Sequence, residues 1–490
     1  MLIRPPVPKE LRCGHLSVQV PLNLGYLAGV LANMGFEVDI WDYTVIPYNS
    51  QQLLQYIQLR QPIFVGFTAQ TSSIGFVGFM AAKIKRFYPG LPIIVGGVHA
   101  TALPVETLEE LPGVDIIVVG EGELTIQQLA EALLLKKDLS AVAGIALRQE
   151  DGKIQLNPRQ PLLKSLDYLD YRVHRFFNHR HYRHNHVSRG FSRRYLRIAE
   201  LITARGCPHN CVFCAGHLSF GNSVRFRSLS HLAYEIDYLK KDLRIQHISI
   251  EDDTLSLNPK LVDELGAYLK GKNISWNCNA RVDEVTPALI YRMVRNNCQK
   301  ISFGIESGSE RILRLAKKRI NLSQIKEAFL SCRRAGLRYL EANFMLGSHP
   351  DEMPDDIFQT QRLIFELKPD FVTVTVMCPF PGTENFLALD SQGVLKKNWM
   401  RYNLVSRNLP YCRLNHLTAQ ELLFYRDKIM RSYYTSLRYL WQRFTQLRQL
   451  NELGYLVRLA RSLQRAYRRE RCFLGISDNY LLQVKPIFKL

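Results

Sequence analysis

The sequence predicts an α/β protein with two β/α units in series: an N-terminal doubly wound parallel-sheet domain, then a partial (β/α)6 barrel, then an α-helical C-terminal region. Two observations predict it. Short β-rich runs alternate with helical stretches twice over, once in residues 1–140 and again in 197–390, and such alternation builds parallel sheets. Near residue 400 the strand pattern stops and only helical periodicity continues. The expected domains are 1–140, a hairpin with a basic linker over 141–196, the barrel over 197–390, and a helical basic region over 391–490.

In the first unit, residues 2–4 read as a short strand and 22–34 as a helix ended by Gly35. Strands are expected at 36–41, 62–67, 91–96 and 114–119, with helices at 50–60, 74–88 and 124–136 between and after them. Ligands of such sheets sit beyond the C-terminal strand ends. There the chain carries Gly96-Gly97-Val98-His99-Ala100-Thr101 and Gly120-Glu121-Gly122-Glu123, turns whose glycines permit close backbone approach to a ligand. Residues 144–157 read as a hairpin about Asp151-Gly152. The second unit has strands at 198–203, 247–250, 275–279, 300–304, 339–346 and 371–377, with helices such as 232–241, 259–270 and 322–335. Six such units place chemistry at the C-terminal strand ends. Residues 417–448 and 453–471 read as helices rich in arginine and aromatics.

The 490 residues are 47% hydrophobic and 22% charged, as in a packed globular protein. Three of ten cysteines crowd together, which excludes a disulfide scaffold and points to a reducing, cytoplasmic setting with a metal or redox site. No signal peptide or apolar run long enough to span a membrane is present in the sequence. The net charge of +20 is concentrated: eight arginines face Glu200 alone between 171 and 200, and seventeen Lys and Arg face five acids after residue 400. An anionic partner surface is the expectation, with the tail either covering the barrel or lying on a membrane's inner face. The linker histidines His174, His179, His181, His184 and His186 read as a solvated basic segment, and Cys278, Cys298 and Cys332 as core thiols.

The strongest motif is Cys207-Pro-His-Asn-Cys211-Val-Phe-Cys214, directly after the first barrel strand. Three thiolates from one loop can meet on one metal centre. An iron–sulfur cluster normally takes four Cys, so three leave an iron open for a ligand. Spacing alone also permits a zinc site completed by His209 or His217, or unliganded thiols. Glu251-Asp252-Asp253 ends the second barrel strand, where three crowded acids suit a cationic ligand; a helix N-cap is the alternative.

With the aromatic Phe213 before its last cysteine, this motif in a six-unit β/α series resembles the radical S-adenosylmethionine superfamily. The resemblance implies a 4Fe–4S cluster on Cys207, Cys211 and Cys214, and S-adenosylmethionine bound through its open iron. It implies a methionine contact at Glu251, Asp252 and Asp253, and further cofactor contacts at Asn279 and Arg281. Gly304, Glu306 and Ser307 resemble the ribose and carboxylate segment, and Leu346 the adenine side. Pro379-Phe380-Pro381-Gly382-Thr383 is similar to a segment of one large subgroup, which includes hopanoid methylases and the anaerobic protoporphyrin ester cyclase. That subgroup carries an N-terminal cobalamin-binding domain, which Pro21–Ala28 and the turns holding Gly97, His99, Gly120, Glu121 and Gly122 resemble. The Asp-x-His-xx-Gly motif that supplies a cobalt ligand elsewhere is absent, so His99 reads as a loop histidine beside the cofactor.

The expected activity is cobalamin-dependent methyl transfer to an unactivated carbon of a hydrophobic, lipid, tetrapyrrole or natural-product-like small molecule. Radical cyclisation or rearrangement is the second reading. The resemblance implies a flavodoxin or ferredoxin as reductant. A tRNA methylthiotransferase does not fit, because only Cys13 precedes Cys207. A nucleic-acid-binding protein with a zinc site is the reading from another class, and no recognised nucleic-acid motif supports it.

Overall fold

The computed structural model describes residues 1–7, 19–149, 151–182, 197–253 and 255–445. His184, His186 and the helix expected at 453–471 lie outside the described residues.

The N-terminal sheet is formed by β1 (Leu2–Arg4), β2 (Ile40–Asp42), β3 (Val65–Thr68), β4 (Ile93–Gly96), β5 (Ile116–Val118), β6 (Ile145–Arg148) and β7 (Ile154–Leu156). Their order is β2-β1-β3-β4-β5-β6-β7. The pairs from β2 to β5 are parallel, and β6 and β7 join antiparallel. The expected hairpin therefore extends this sheet instead of standing in the linker. Each face buries its own cluster: Ile3, Val65, Ile93 and Ile117 on one, Leu2, Ile94, Ile116 and Ile145 on the other. That alternation along β1, β4 and β5 is the period of a strand with both faces covered.

The helix Leu22–Asn33 is crossed by the chain that follows the hairpin. A Cβ on Gly29 would stand 2.5 Å from the Asp170 Cβ, and one on Gly25 would overlap Val173. Leu163, Leu166, Leu169, Val173, Phe177 and Tyr182 are buried there, and His174, 0% exposed, meets the Glu200 carbonyl oxygen at 3.1 Å. The described part of the basic linker is thus packed through His174 and these apolar residues, while Arg172, Arg175, Arg180 and His181 are exposed as a solvated segment requires. Its apolar residues recur every three or four positions, and the arginines and histidines between them hide that pattern.

The second unit comprises β8 (Ile198–Leu201), the short hairpin β9 (Ala204–Arg205) and β10 (Arg225–Phe226), β11 (His247–Ile250), β12 (Ser275–Ala280), β13 (Cys298–Glu306), β14 (Tyr339–Leu346) and β15 (Phe371–Val376). Six of these strands form an all-parallel sheet ordered β15-β14-β13-β12-β11-β8, as expected for a partial barrel. Its helices begin on side-chain caps: Ser228, Asn258 and Thr286 each accept a backbone N–H of the first turn, the last two with proline following. Cys278, Cys298 and Cys332 lie in this core.

The helix expected at 417–448 is two helices, Ala419–Tyr434 and Leu437–Thr445. Ser436 separates them and its hydroxyl accepts the Tyr439 N–H at 3.2 Å. Tyr434 bonds both polar groups of Val372, at 2.8 and 2.9 Å, and Tyr439 reaches the Asp370 carbonyl oxygen. The two helices thereby cover the outer strand β15. Among the described residues no helix is long and apolar enough to cross a membrane.

Candidate active site

The cysteine loop is closed at its neck by β9 and β10, which pair Arg205 with Arg225 and Ala204 with Phe226. Gly206 lies at φ +94°, and a Cβ there would overlap the Ser223 carbonyl oxygen, so only glycine fits. The Cys207 N–H donates to Gly221 O at 3.3 Å. Inside the loop, Cys214 N–H donates to Cys211 O at 3.0 Å, and Gly216 N–H reaches the Cys214 Sγ at 3.4 Å. Val212 is held from both sides, donating to Ala316 O at 3.3 Å and accepting from Asn385 N–H at 3.0 Å. The half-buried Phe213 packs on the barrel core.

All three loop cysteines are free thiols: Cys211 is buried, Cys207 half-buried and Cys214 exposed. Burial raises the Cys207 thiol above its usual range, opposed by the His209 N–H and reinforced by the nearby Asp253 and Cys211. Thiols must lose protons to bind metal, so loading this loop releases them. Among the described residues no three His, Cys, Asp or Glu side chains close around a position for a single metal ion. His209 is turned away to Glu284, 2.9 Å from its Oε1. Glu284 also accepts the Ser256 hydroxyl at 2.5 Å. Three unbridged thiols on one loop, with no fourth thiol or imidazole turned to them among the described residues, fit a cluster that keeps one iron open.

The three acids after β11 separate. Asp252 is buried beneath the loop, and its carboxylate accepts the Thr203 N–H at 2.7 Å and the Thr203 hydroxyl. Burial pushes it up to about 7, against those bonds. Asp253 is exposed, and its Oδ2 flanks the same point beside Gly216 as the Cys214 Sγ, at 3.6 and 3.5 Å. Glu251 is half-buried and donates its N–H to Leu201 O at 3.0 Å. Only Asp253 is placed beside the cysteines.

At the barrel mouth Asn279 is exposed at the end of β12. Arg281 is buried and bidentate to Asp283 at 3.0 and 2.9 Å, and donates to Lys318 O at 2.6 Å. On β13 a bulge falls between Gly304 and Glu306, and Glu306 lies at φ +72°. Its carboxylate bends back over Gly304 to Lys318 Nζ, 3.1 Å away; a Cβ at 304 would stand 2.8 Å from that carboxylate. A non-glycine residue in this left-handed region is strain stored at a site. Ser307 is buried, meeting Thr360 Oγ1 at 3.3 Å, and Leu346 points into the core. The neighbouring Met345 is the half-buried residue on that strand end.

Below the mouth the barrel interior is polar. Lys300 Nζ pairs with Glu341 at 2.7 Å, Asn343 donates to Ser302 at 2.8 Å, and His247 meets Asn277 at 2.7 Å. The turn after β14 is held by Glu352, 1% exposed, which accepts the Gly347 N–H. Burial lifts that carboxyl to about 8.

The N-terminal domain faces this mouth with its own C-terminal strand ends. Gly97 (φ +101°) has no room for a Cβ, which would stand 2.6 Å from Ala69 O. Gly120 (φ +83°) is different: a Cβ there would make an ordinary contact with Ser219 O, at 3.8 Å, so this turn and the cysteine loop stand directly against each other. Thr101 Oγ1 accepts the Gly120 N–H at 3.0 Å, and Gly122 lies against Leu27. Both Gly97 and Gly120 lie at positive φ on this face, so two stretches of main chain are presented there without side chains. His99 is 1% exposed, its ring 4.9 Å from that of Trp399. Burial lowers it to about 4, so it is neutral. Glu121 is occupied by the domain junction: it accepts Arg205 at 3.2 Å, Arg225 at 2.7 Å and the Leu163 N–H at 2.9 Å. Glu123 takes the other arm of Arg205 at 2.7 Å.

Sequence reading missed Lys318, Glu284, Arg205, Glu352 and Trp399. Glu352 reaches Gly347 just a turn back, the other four act on residues at least twelve positions away, and no local motif marks them.

Residues 16–130 match the B12 binding domain model and 201–364 the Radical SAM superfamily model. An uncharacterised methyltransferase of Pyrococcus horikoshii is 30% identical over 440 residues, covering 89% of this chain and 91% of that one. The anaerobic magnesium-protoporphyrin IX monomethyl ester cyclase of Rubrivivax gelatinosus is 26% identical over 423 residues, 84% of this chain and 73% of its own. Among solved structures, the cobalamin-dependent S-adenosylmethionine radical enzyme OxsB, with aqua-cobalamin and S-adenosylmethionine bound, aligns with a TM-score of 0.69 at 15% identity, over 94% of this chain and 70% of that one.

Proposed function

The chain belongs to the cobalamin-binding radical S-adenosylmethionine methyltransferase family, and on that premise we propose that it methylates an unactivated carbon of a hydrophobic or natural-product-like small molecule. One observation carries this reading. Ser219 of the cysteine loop stands 3.8 Å from where a Cβ on Gly120 would lie, so the turn proposed for a methyl carrier and the loop proposed for a radical source meet face to face. When bound, the cluster, S-adenosylmethionine and cobalamin supply the electron, the hydrogen-abstracting radical and the methyl group; the protein supplies position and dryness.

In this proposal Cys207, Cys211 and Cys214 hold the cluster and Phe213 anchors their loop in the core. Asp253, with Glu251, takes the methionine ammonium. Asn279 and Glu306 line the mouth, and Lys318 holds the Glu306 carboxylate in place. Arg281 keeps the strand end and the Lys318 turn together, while Gly304 leaves room for Glu306. Asp252, Ser307 and Leu346 serve the site through the backbone they fix. Gly97, Gly120 and Gly122 let the cobalamin approach the main chain. His99 packs under Trp399, and Glu121 locks the domains. The proposed domains keep the boundaries 1–140, 141–196, 197–390 and 391–490, with the hairpin β6–β7 of the second segment paired onto the sheet of the first.

A cyclisation is the second reading, supported by the likeness to the Rubrivivax cyclase. Reconstituted protein given methyl-deuterated S-adenosylmethionine and a metabolite extract separates the two. Labelled product with S-adenosylhomocysteine means methylation; 5′-deoxyadenosine without label transfer means cyclisation.

The proposal extends to a cytoplasmic setting, in keeping with eight free thiols among the described residues, and to a flavodoxin or ferredoxin as reductant. It also includes peripheral contact with an anionic membrane. Leu437, Leu440, Trp441 and Phe444 share one exposed face of their helix, beside the exposed Arg438, as interfacial helices do. Co-sedimentation with anionic vesicles at low salt is expected, and its absence would remove this part.

A further inference from the structure

We propose that the turn after the helix Glu310–Leu315 is the docking surface for an acidic one-electron carrier protein that reduces the cluster; this rests on the reading of Cys207, Cys211 and Cys214 as its ligands. An electron must enter through a thin cover of protein on a side the substrate does not use. The mouth side is covered, because the helix Val98–Ala102 and the Gly382 turn close on Leu218 of the cysteine loop. On the other side, the Lys317 carbonyl oxygen is 4.0 Å from the Cys211 Sγ, and Ala316 O accepts the Val212 N–H at 3.3 Å. The chain at 316–317 thus touches the second ligand from outside, and Lys317 itself is exposed.

Arg311, Arg314, Lys317, Lys318 and Arg319 fall within nine residues, and Glu310 is the sole acid in that stretch of sequence, while Glu306, Asp356 and Glu384 reach it from other elements. Lys318 is spent on Glu306 and Arg311 on Asp356. Lys317 pairs with Glu384 where both are about half in solvent, 47% and 57% exposed, a pair that salt screens and a partner can displace. Arg314 and Arg319 are exposed, and among the described residues no carboxylate pairs with either. Arg319 is also held at φ +56°, in a turn fixed on the cysteine loop. A rigid cationic patch one residue from a ligand contact selects a partner with an acidic face around its redox group, and such complementarity acts mainly on the rate of encounter. The step transfers one electron: a reduced flavin becomes its semiquinone and the cluster takes up that electron.

The test uses the full chain with its cluster reconstituted, as wild type and as Arg314→Glu/Arg319→Glu, with Arg314→Gln/Arg319→Gln as the milder variant. Bleaching of the cluster absorbance is followed after mixing with flavodoxin hydroquinone, and separately with dithionite, which needs no docking. The expected result is that the charge-reversed protein keeps its cluster and its dithionite rate. Its flavodoxin rate falls by about tenfold or more at low salt, the neutral variant lies between, and the difference shrinks as salt rises. Equal flavodoxin rates in wild type and variant would overturn the assignment. So would an equal loss with dithionite, which would place the effect on the cluster, or a loss of RNA-oligonucleotide binding with reduction unchanged. A wild type that takes up no cluster would remove the underlying reading and this proposal with it, and is seen before any carrier is added.

Discussion

Gly206 carries a load out of proportion to its size. Because a side chain there would strike the Ser223 carbonyl oxygen, Gly206→Val is expected to open the neck of the cysteine loop while leaving the distant sheets folded. Unchanged circular dichroism with cluster uptake cut by more than half would bear this out; full uptake would not. Glu352 gives a pH prediction. Its carboxyl is lifted by burial to about 8 from the ordinary 4.5, so the folded chain holds a proton that the unfolded chain releases. Stability is then full below the unfolded value and falls as pH rises through about 8, by up to about 1.4 kcal/mol per pH unit in that window. Denaturant midpoints of Glu352→Gln against wild type are expected to diverge in favour of Gln between pH 5 and 8, and parallel curves would contradict this. At this scale the sequence made legible what is consecutive, such as Cys207 to Cys214 or Glu251 to Asp253. It could not show that Asp252 turns to Thr203 while Asp253 faces the thiols, because that split depends on which way successive residues point at one strand end.

The strands and helices of both units were legible because apolar runs of strand length alternate with capped, amphipathic stretches. What escaped were features set by packing between elements. The hairpin at 145–156 was readable, yet its pairing with β5 is a long-range register. The break between the tail helices rests on Ser436, one serine in a continuous helical pattern. The packed side of the linker was missed because Val173 and Phe177 sit among arginines and histidines. Their seat is made by two glycines on the helix Leu22–Asn33, which gives a test of the packing. Gly29→Val should push against Asp170 and cost about 1–3 kcal/mol as overpacking does, read from urea unfolding. A neutral result would mean that residues 170–177 do not lie on that helix in solution.

Across the whole molecule, buried charge holds the two domains together where the Gly120 turn meets the cysteine loop. Arg205 is enclosed with Glu121 and Glu123, all at 4% side-chain exposure. Removing it leaves Glu123 without its cation and Glu121 with Arg225 alone in a dry junction, so Arg205→Ala is expected to destabilise by about 3–5 kcal/mol, with loss of cobalamin retention. An intact junction, with unchanged thermal unfolding, would contradict that role. The fold class and the six strand ends were legible from one chain because each carries local residues. The junction was not, since Arg205 reaches back more than eighty residues to Glu121. The most direct measurement is anaerobic reconstitution with iron, sulfide and hydroxocobalamin, desalting, and optical spectra of the wild type beside Cys207→Ala/Cys211→Ala/Cys214→Ala. A brown cluster absorbance that disappears in the variant is expected, with cobalamin bands retained in both. A wild type that takes up zinc and no cluster would contradict it.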